Sequence, residues 1–131
     1  MKVLALDYGA ARTGVAVSDE TGTLARPVEV VARAGARAGL ARIVELVAEH
    51  EAERVVVGLP LTLKGERGEQ ARETERFVAA LAAVLSVPVE LFDERFTTAL
   101  AAQSPASGAP EDARAAAHLL AGYLDRAGSG A

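Results

Sequence analysis

Hydrophobic positions near the start of the chain follow the pattern of short β-strands. An apolar run predicts a first strand over about residues 2–6, and further runs predict strands over 13–18 and 29–32. The connections between them are short and contain glycine, which is typical of antiparallel hairpins. The chain is therefore expected to begin as a three-stranded antiparallel sheet.

Helical stripes and apolar runs alternate through the rest of the chain. The predicted segments are a helix over 36–50, a strand over 54–57, a helix whose stripe runs from Phe77 to Leu85, a strand over 89–92, a short helix near Thr97 and a last helix over 111–126. A disordered tail is expected over 128–131. Three antiparallel strands followed by two parallel strands, each reached through a helix, form a mixed five-stranded α/β sheet. This is the order of a ribonuclease-H-like fold, expected as a single domain over residues 1–131.

Composition narrows the possible chemistry. The 131 residues include no cysteine, which excludes disulfide frameworks, thiol nucleophiles and cysteine zinc sites. The longest apolar stretch, Phe77 to Leu85, is too short to cross a bilayer, and Asp7 interrupts the first apolar run, so we expect a cytoplasmic protein without membrane contact. The formal charge is −4, yet 12 of the 14 basic residues are arginine, the side chain best suited to bidentate phosphate contacts.

Four carboxylates stand out from the solvated charges. Asp7 ends the first strand and is followed by Tyr8 and Gly9, while Asp93 and Glu94 end the fifth strand. If the fourth strand lies between these two, their ends are about 10 Å apart, two strand spacings, at one edge of the sheet. Asp112 lies in the first turn of the last helix. The simpler readings are a polar strand end for Asp93 and Glu94, and a favourable helix-dipole position for Asp112.

Asp112 continues the core-facing stripe of its helix, which a carboxylate serving only the helix dipole has no need to do. Alanines at 115 and 116 would let this helix approach the sheet closely. Carboxylates converging on one sheet edge repel each other unless a cation lies between them. Oxygen ligands without cysteine favour Mg²⁺ or Mn²⁺, and two such ions about 4 Å apart could cleave a phosphodiester. We therefore predict a metal site, with a two-metal arrangement, formed by Asp7, Asp93, Glu94 and Asp112.

Several motifs, in order, resemble those of the YqgF/RuvX family. They are Leu6-Asp7-Tyr8-Gly9, the stretch from Arg12 to Asp19, Val57-Gly58-Leu59-Pro60-Leu61, Asp93-Glu94-Arg95-Phe96-Thr97-Thr98, and Asp112-Ala113-Arg114-Ala115-Ala116. The resemblance implies a ribonuclease-H-like nuclease that processes the 5′ end of pre-16S ribosomal RNA, with a divalent-metal site; Holliday junction resolution is an older suggestion for the family. It further implies a catalytic triad of Asp7, Glu94 and Asp112.

Basic residues near these motifs are candidates for binding substrate. Arg95 could hold a phosphate or pair with a carboxylate, and Arg12, Lys64 and Arg67 could line a substrate path or simply form solvated loops. The segment from Ser104 to Pro110 has no charge, whereas similar proteins often carry Lys and Arg there. This difference leaves the mode of nucleic-acid binding open.

The sequence supports a metal-dependent nuclease acting on RNA, and three alternatives stay open. A four-way junction resolvase would need a dimer to cut two strands symmetrically. A nucleotide-binding protein of the sugar-kinase type would need two duplicated domains, and this chain has room for one. The third alternative is a non-catalytic RNA-binding factor in ribosome assembly or transcription. The expected partners are RNA more than DNA junctions, and ribosomal precursor particles; we expect a monomer or weak dimer.

Overall fold

A computed structural model describes residues 1–60, 68–93 and 111–129 of the chain. The described strands are β1 (Val3–Asp7), β2 (Arg12–Ser18), β3 (Ala25–Ala32), β4 (Arg54–Leu59) and β5 (Val89–Asp93). The described helices are α1 (Arg37–Glu49), α2 (Glu69–Val84) and α3 (Glu111–Ser129). The predicted short helix near Thr97 lies outside the described residues.

The strands form one sheet in the order β3-β2-β1-β4-β5. The first three pair antiparallel, and β4 and β5 join parallel through crossovers that contain α1 and α2. The predicted mixed sheet is therefore confirmed, with β4 next to β1 as the carboxylate argument required. We call one end of the sheet the site end. It contains the start of β2 and the C-terminal ends of β1, β3, β4 and β5. The opposite end of the strands is the far end.

Helices cover both faces of the sheet, but with different kinds of side chain. On one face Ile43 and Leu46 of α1 and Phe77 of α2 pack over Leu4, Leu6 and their neighbours on β4 in a thick aliphatic core. On the other face α3 packs over Val3, Ala5, Ala16 and Val56, a thinner layer with small residues on the sheet. Alternation along β1 produces this division, because even-numbered residues face α1 and α2 and odd-numbered residues face α3.

Two element boundaries and the burial of one residue differ from the sequence expectation. β3 begins at Ala25 rather than near Glu29. Pro27 hides the start of the strand in the sequence pattern, but β3 lies at the edge of the sheet, where a proline is tolerated. Val84 was expected in the buried stripe of α2 but is 51% exposed at the last turn of that helix. The last helix continues to Ser129, beyond its predicted end at 126 and into the stretch expected as tail, while residues 130–131 lie outside the described part.

At the far end the polar groups find partners within the folded chain. Ser18 Oγ accepts a hydrogen bond of 2.8 Å from the backbone N–H of Val3. Arg54 donates to Glu90 at 3.0 Å and to the hydroxyl of Tyr123 at 2.9 Å, and that hydroxyl donates to the Glu90 carboxylate. Partial burial and Glu90 raise the pKa of Tyr123, so its hydroxyl stays protonated as this donor. These bonds tie the body of α3 to β4 and β5.

Among the described helices, none combines the length and apolar character that a membrane crossing requires.

Candidate active site

Asp7 occupies a position where both neighbouring strands carry glycine. Its cross-strand partner on β2 is Gly14, and on β4 the residue following Val57, the partner of Leu6, is the buried Gly58. Alternation from Val3 and Ala5 puts the half-buried Asp7 side chain on the face that α3 covers. The carboxylate therefore projects from a part of the sheet where neither flanking residue has a side chain.

The first turn of α3 docks directly on Gly14. A Cβ built on that glycine would lie 1.7 Å from the backbone oxygen of Asp112 and 3.0 Å from the nitrogen of Ala113. No residue with a side chain could occupy this position without moving the helix. Because Gly14 is paired with Asp7, the contact brings Asp112 beside Asp7 at the site end of the sheet.

Arg12 adds a positive charge to this pair of carboxylates. Its Nε lies 3.3 Å from Asp112 Oδ2, and its side chain is 72% exposed against 38% for Asp112. The hairpin that carries Arg12 is closed by the buried Thr13, whose hydroxyl bonds the backbone of Gly9 at 3.3 Å. Gly9 itself meets the backbone oxygen of Arg12 so closely that a Cβ would lie 2.5 Å away. A tight turn thus fixes where the Arg12 side chain begins.

The structure places Asp93 at the same end but on the other face. Its neighbour Phe92 packs in the α3 cluster, so alternation assigns Asp93 to the side of α1 and α2. Asp7, Asp112 and Arg12 are brought together, and Asp93 is separated from them by the sheet. The other predicted site residues, Glu94, Arg95, Lys64 and Arg67, lie outside the described residues. Within 1–60, 68–93 and 111–129, no group of three or more potential metal ligands assembles.

Two residues that matter to the site received no role from the sequence. Gly14 is the contact point for α3, and Ala113, fully buried, lies over the sheet where Ala115 had been expected to. A glycine inside an otherwise β-branched strand is a recognised sign that another backbone approaches closely. That sign is present in Thr13-Gly14-Val15, but the approaching segment cannot be read from it.

The fold places the protein in a known structural class. RuvC from T. thermophilus, in complex with a Holliday junction substrate, superposes with a TM-score of 0.61 at 23% identity over 96% of each chain. A fowlpox virus resolvase bound to Holliday junction DNA superposes with a TM-score of 0.51 at 8% identity. At these identities the likeness concerns the fold alone, which is that of the RuvC-like, ribonuclease-H-like nucleases.

Sequence relatives narrow the class to one family. The model of the RuvX family, described as a Holliday junction resolvase, matches residues 1–126. A protein of Chloroflexus aggregans named "Putative pre-16S rRNA nuclease" is 46% identical over 94% of this chain and 92% of its own length. One of the same name from Anaeromyxobacter dehalogenans is 42% identical over 96% of this chain and 98% of its own length. The chain therefore belongs to the RuvX family, and it is a nuclease.

Proposed function

We propose that the protein hydrolyses phosphodiester bonds in RNA with the help of a divalent metal, and that it acts in the 5′ processing of pre-16S ribosomal RNA. The observation that carries the proposal is the contact of Asp112 with Gly14, which brings carboxylates from the first strand and the last helix to one position. The names of the relatives support the ribosomal substrate. The proposal places the protein in the cytoplasm, with ribosomal precursor particles as partners, as a monomer or weak dimer.

The donor set fits a hard cation. Asp7 and Asp112 offer carboxylate oxygens, the chain has no thiol, and the glycines on either side of Asp7 place no side chain against it. In our proposal Asp7, Glu94 and Asp112 hold Mg²⁺ or Mn²⁺, and Asp93 is the weaker candidate because it lies on the other face. Such ions stabilise negative charge on the attacking and leaving oxygens of a phosphodiester.

Arg12 is suited to placing the substrate. It offsets part of the Asp112 charge from an exposed position, so its guanidinium can also reach a phosphate of a strand lying across the site end. A planar guanidinium binds phosphate oxygens in pairs, which fixes orientation as well as supplying attraction. Lys64, Arg67 and Arg95 complete the proposed substrate-binding set.

The test is a cleavage panel with the full chain and Mn²⁺. Single-stranded RNA, duplex RNA and a four-way DNA junction are compared for wild type and Asp7→Asn. We expect cleavage of RNA that Asp7→Asn abolishes, while the variant keeps a cooperative thermal transition because removing one of two neighbouring carboxylates relieves repulsion. Symmetric cuts in the junction with intact RNA would support the resolvase activity instead.

A second readout does not depend on catalysis. Millimolar Mn²⁺ should raise the melting temperature, because a ligand bound only by the native state stabilises it. The shift should shrink in Asp7→Asn, Glu94→Gln and Asp112→Asn. A shift that survives all three substitutions would place the cation elsewhere, and no shift in wild type together with no cleavage would favour a non-catalytic RNA-binding factor.

A further inference from the structure

Three exposed arginines follow one another along the site end of the sheet. Arg12 opens β2, Arg33 follows β3, and Arg37 opens α1, and all three are exposed. We call this set the arginine rim. The rim begins beside Asp7 and Asp112, which we call the acidic pair. Because β3 is the edge strand next to β2, the rim leads away from this pair toward the β3 edge of the sheet.

The rim is held by contacts between two turns. Arg12 pairs with Ala32, the last residue of β3, and the backbone N–H of Arg33 donates to the carbonyl of Ala11 at 3.0 Å. The turn after Arg33 is closed by a hydrogen bond of 2.9 Å, which the backbone N–H of Ala36 donates to the Arg33 carbonyl. The two turns therefore keep a fixed spacing, and the backbones at Arg12 and Arg33 lie next to each other at the site end.

The backbone at Arg33 is strained, and packing holds it in place. Its φ of 45° lies in the left-handed region that favours glycine. α1 packs against this turn through Gly39, where a Cβ would lie 2.2 Å from the Arg33 carbonyl oxygen and 2.6 Å from the Cα of Ala34. Arg33 thus has a long charged side chain at a position where the backbone conformation favours glycine.

The charges of Arg33 and Arg37 are not used by the fold. Neither forms an ion pair in the described part of the chain, whereas Arg42 and Arg54 are each tied to carboxylates. The nearest acidic residue before the rim on β3, Glu29, is held by Arg42 at 2.8 Å. In a chain with a net charge of −4, the rim is therefore a local basic surface next to an acidic centre.

We infer that the arginine rim binds the phosphate backbone of the single-stranded RNA whose scissile phosphate lies at Asp7 and Asp112. The inference rests on the proposed nuclease function and adds the direction in which the RNA leaves the site. The RNA would pass over the ends of β2 and β3, and β3 lies about 10 Å from β1 at the usual strand spacing. Arg12 lies at the junction of the two regions, and Arg33 and Arg37 hold the flanking nucleotides. These contacts go to phosphates, so they carry affinity and register without sequence preference.

The test compares two double variants of equal charge. Arg33→Ser with Arg37→Ser removes two positive charges at the site end, and Lys2→Ser with Arg26→Ser removes two at the far end. Dissociation constants for a fluorescent single-stranded oligoribonucleotide are measured from 0.1 M to 1 M salt without divalent cations, so that no cleavage occurs. Each phosphate contact on a single strand contributes about 0.7 to the salt slope. The rim variant should lose about 1.4 of slope and bind about 25-fold more weakly at 0.1 M salt, converging with wild type near 1 M.

The far-end control should keep the wild-type slope, and both variants should keep the melting temperature shift caused by Mn²⁺. Equal losses in the two variants would show an effect of net charge and overturn the rim. If wild type binds and cleaves RNA and the rim variant binds with the same affinity and salt slope, the rim proposal is wrong and the nuclease proposal still stands. A wild type that binds no RNA would overturn both.

Discussion

Two aspartates at opposite ends of β2 illustrate two uses of a carboxylate. Asp19 follows the last residue of the strand and accepts hydrogen bonds from the N–H groups of Thr23 and Leu24, at 2.9 and 3.1 Å, and from the hydroxyl of Thr21 at 2.8 Å. Asp112 lies over Gly14 near the start of β2, and its carboxylate meets the exposed Arg12. The Asp19 carboxylate accepts its hydrogen bonds from residues of its own turn. The Asp112 carboxylate is paired with Arg12, a residue distant from it in the sequence.

The difference gives a criterion for separating acids that the fold stabilises through hydrogen bonds from acids that it only positions. The hydrogen bonds to Asp19, those from Leu24, Thr21 and Thr23 foremost, lower its pKa to about 2, so the fold itself stabilises the charge. Asp112 is positioned by backbone packing on Gly14, and its carboxylate pairs with the guanidinium of the exposed Arg12 at 3.3 Å. A carboxylate that backbone packing positions, and that only an exposed arginine side chain meets, remains accessible to an external cation.

The largest effect is expected for Gly14→Ala, which attacks the positioning of Asp112 directly. The added Cβ would overlap the Asp112 carbonyl, so the first turn of α3 must move. Overpacking of this kind costs about 1–3 kcal/mol, and we expect both a lower urea midpoint and loss of cleavage. Gly35→Ala is the matched control, because its Cβ would find ordinary contacts at 3.6 Å from Tyr8 Oη and 3.9 Å from Phe77. Wild-type stability and activity in Gly14→Ala would show that α3 does not position the site.

A smaller effect is expected for Tyr123→Phe, which weakens α3 at the far end only. The substitution removes hydrogen bonds to Arg54 and Glu90 but keeps the edge-on contact with Phe92 at 5.5 Å. A hydrogen bond of this type contributes about 0.5–1.5 kcal/mol. The urea midpoint should fall while RNA cleavage and the Mn²⁺ shift persist. If cleavage fell as far as in Gly14→Ala, the two ends of α3 would not be separable.

The smallest effect, and the most specific, is expected from the two aspartates themselves. The pKa of Asp19 is depressed in the folded protein, so its stabilising contribution is present above the unfolded value near 4 and is lost as pH falls toward 2. Asp19→Asn should melt below wild type at pH 7, with the gap closing between about pH 4 and pH 2. Asp112→Asn should melt at or above the wild-type temperature at pH 7 yet show a smaller Mn²⁺ shift than wild type. A reversed order of melting temperatures would reassign Asp112 to a structural role.

Local pattern was sufficient for much of the fold. Apolar runs and helical stripes located all eight described elements, and the mixed sheet followed from the lengths of their connections. Pro27 misled because proline weakens the strand signal wherever the strand lies, and only the sheet order shows that β3 is an edge. Val84 misled because helical periodicity marks a stripe but not the turn at which the partner surface ends.

The sequence was enough to propose the acids of the candidate site, but not the geometry that brings Asp7 and Asp112 together. Asp7 and Asp112 were singled out because a strand-end carboxylate and a core-facing one are unusual on physical grounds. The ion pair of Arg12 with Asp112 and the contact of Gly14 with α3 join segments from opposite ends of the chain. No local spacing encodes such contacts, since they exist only after the sheet has formed and the last helix has packed on it.

The docking of α3 on Gly14 has a consequence for the life of the protein in the cell. A ribosome makes the strand that carries Asp7 before the helix that carries Asp112. A nascent chain therefore holds one member of the acidic pair and cannot assemble the other until α3 has emerged and docked. With the catalytic role proposed for this pair, we expect the unfinished enzyme to be inert next to the ribosomal and messenger RNA that surround it during translation, and the order of the elements would then delay cleavage until the fold is complete.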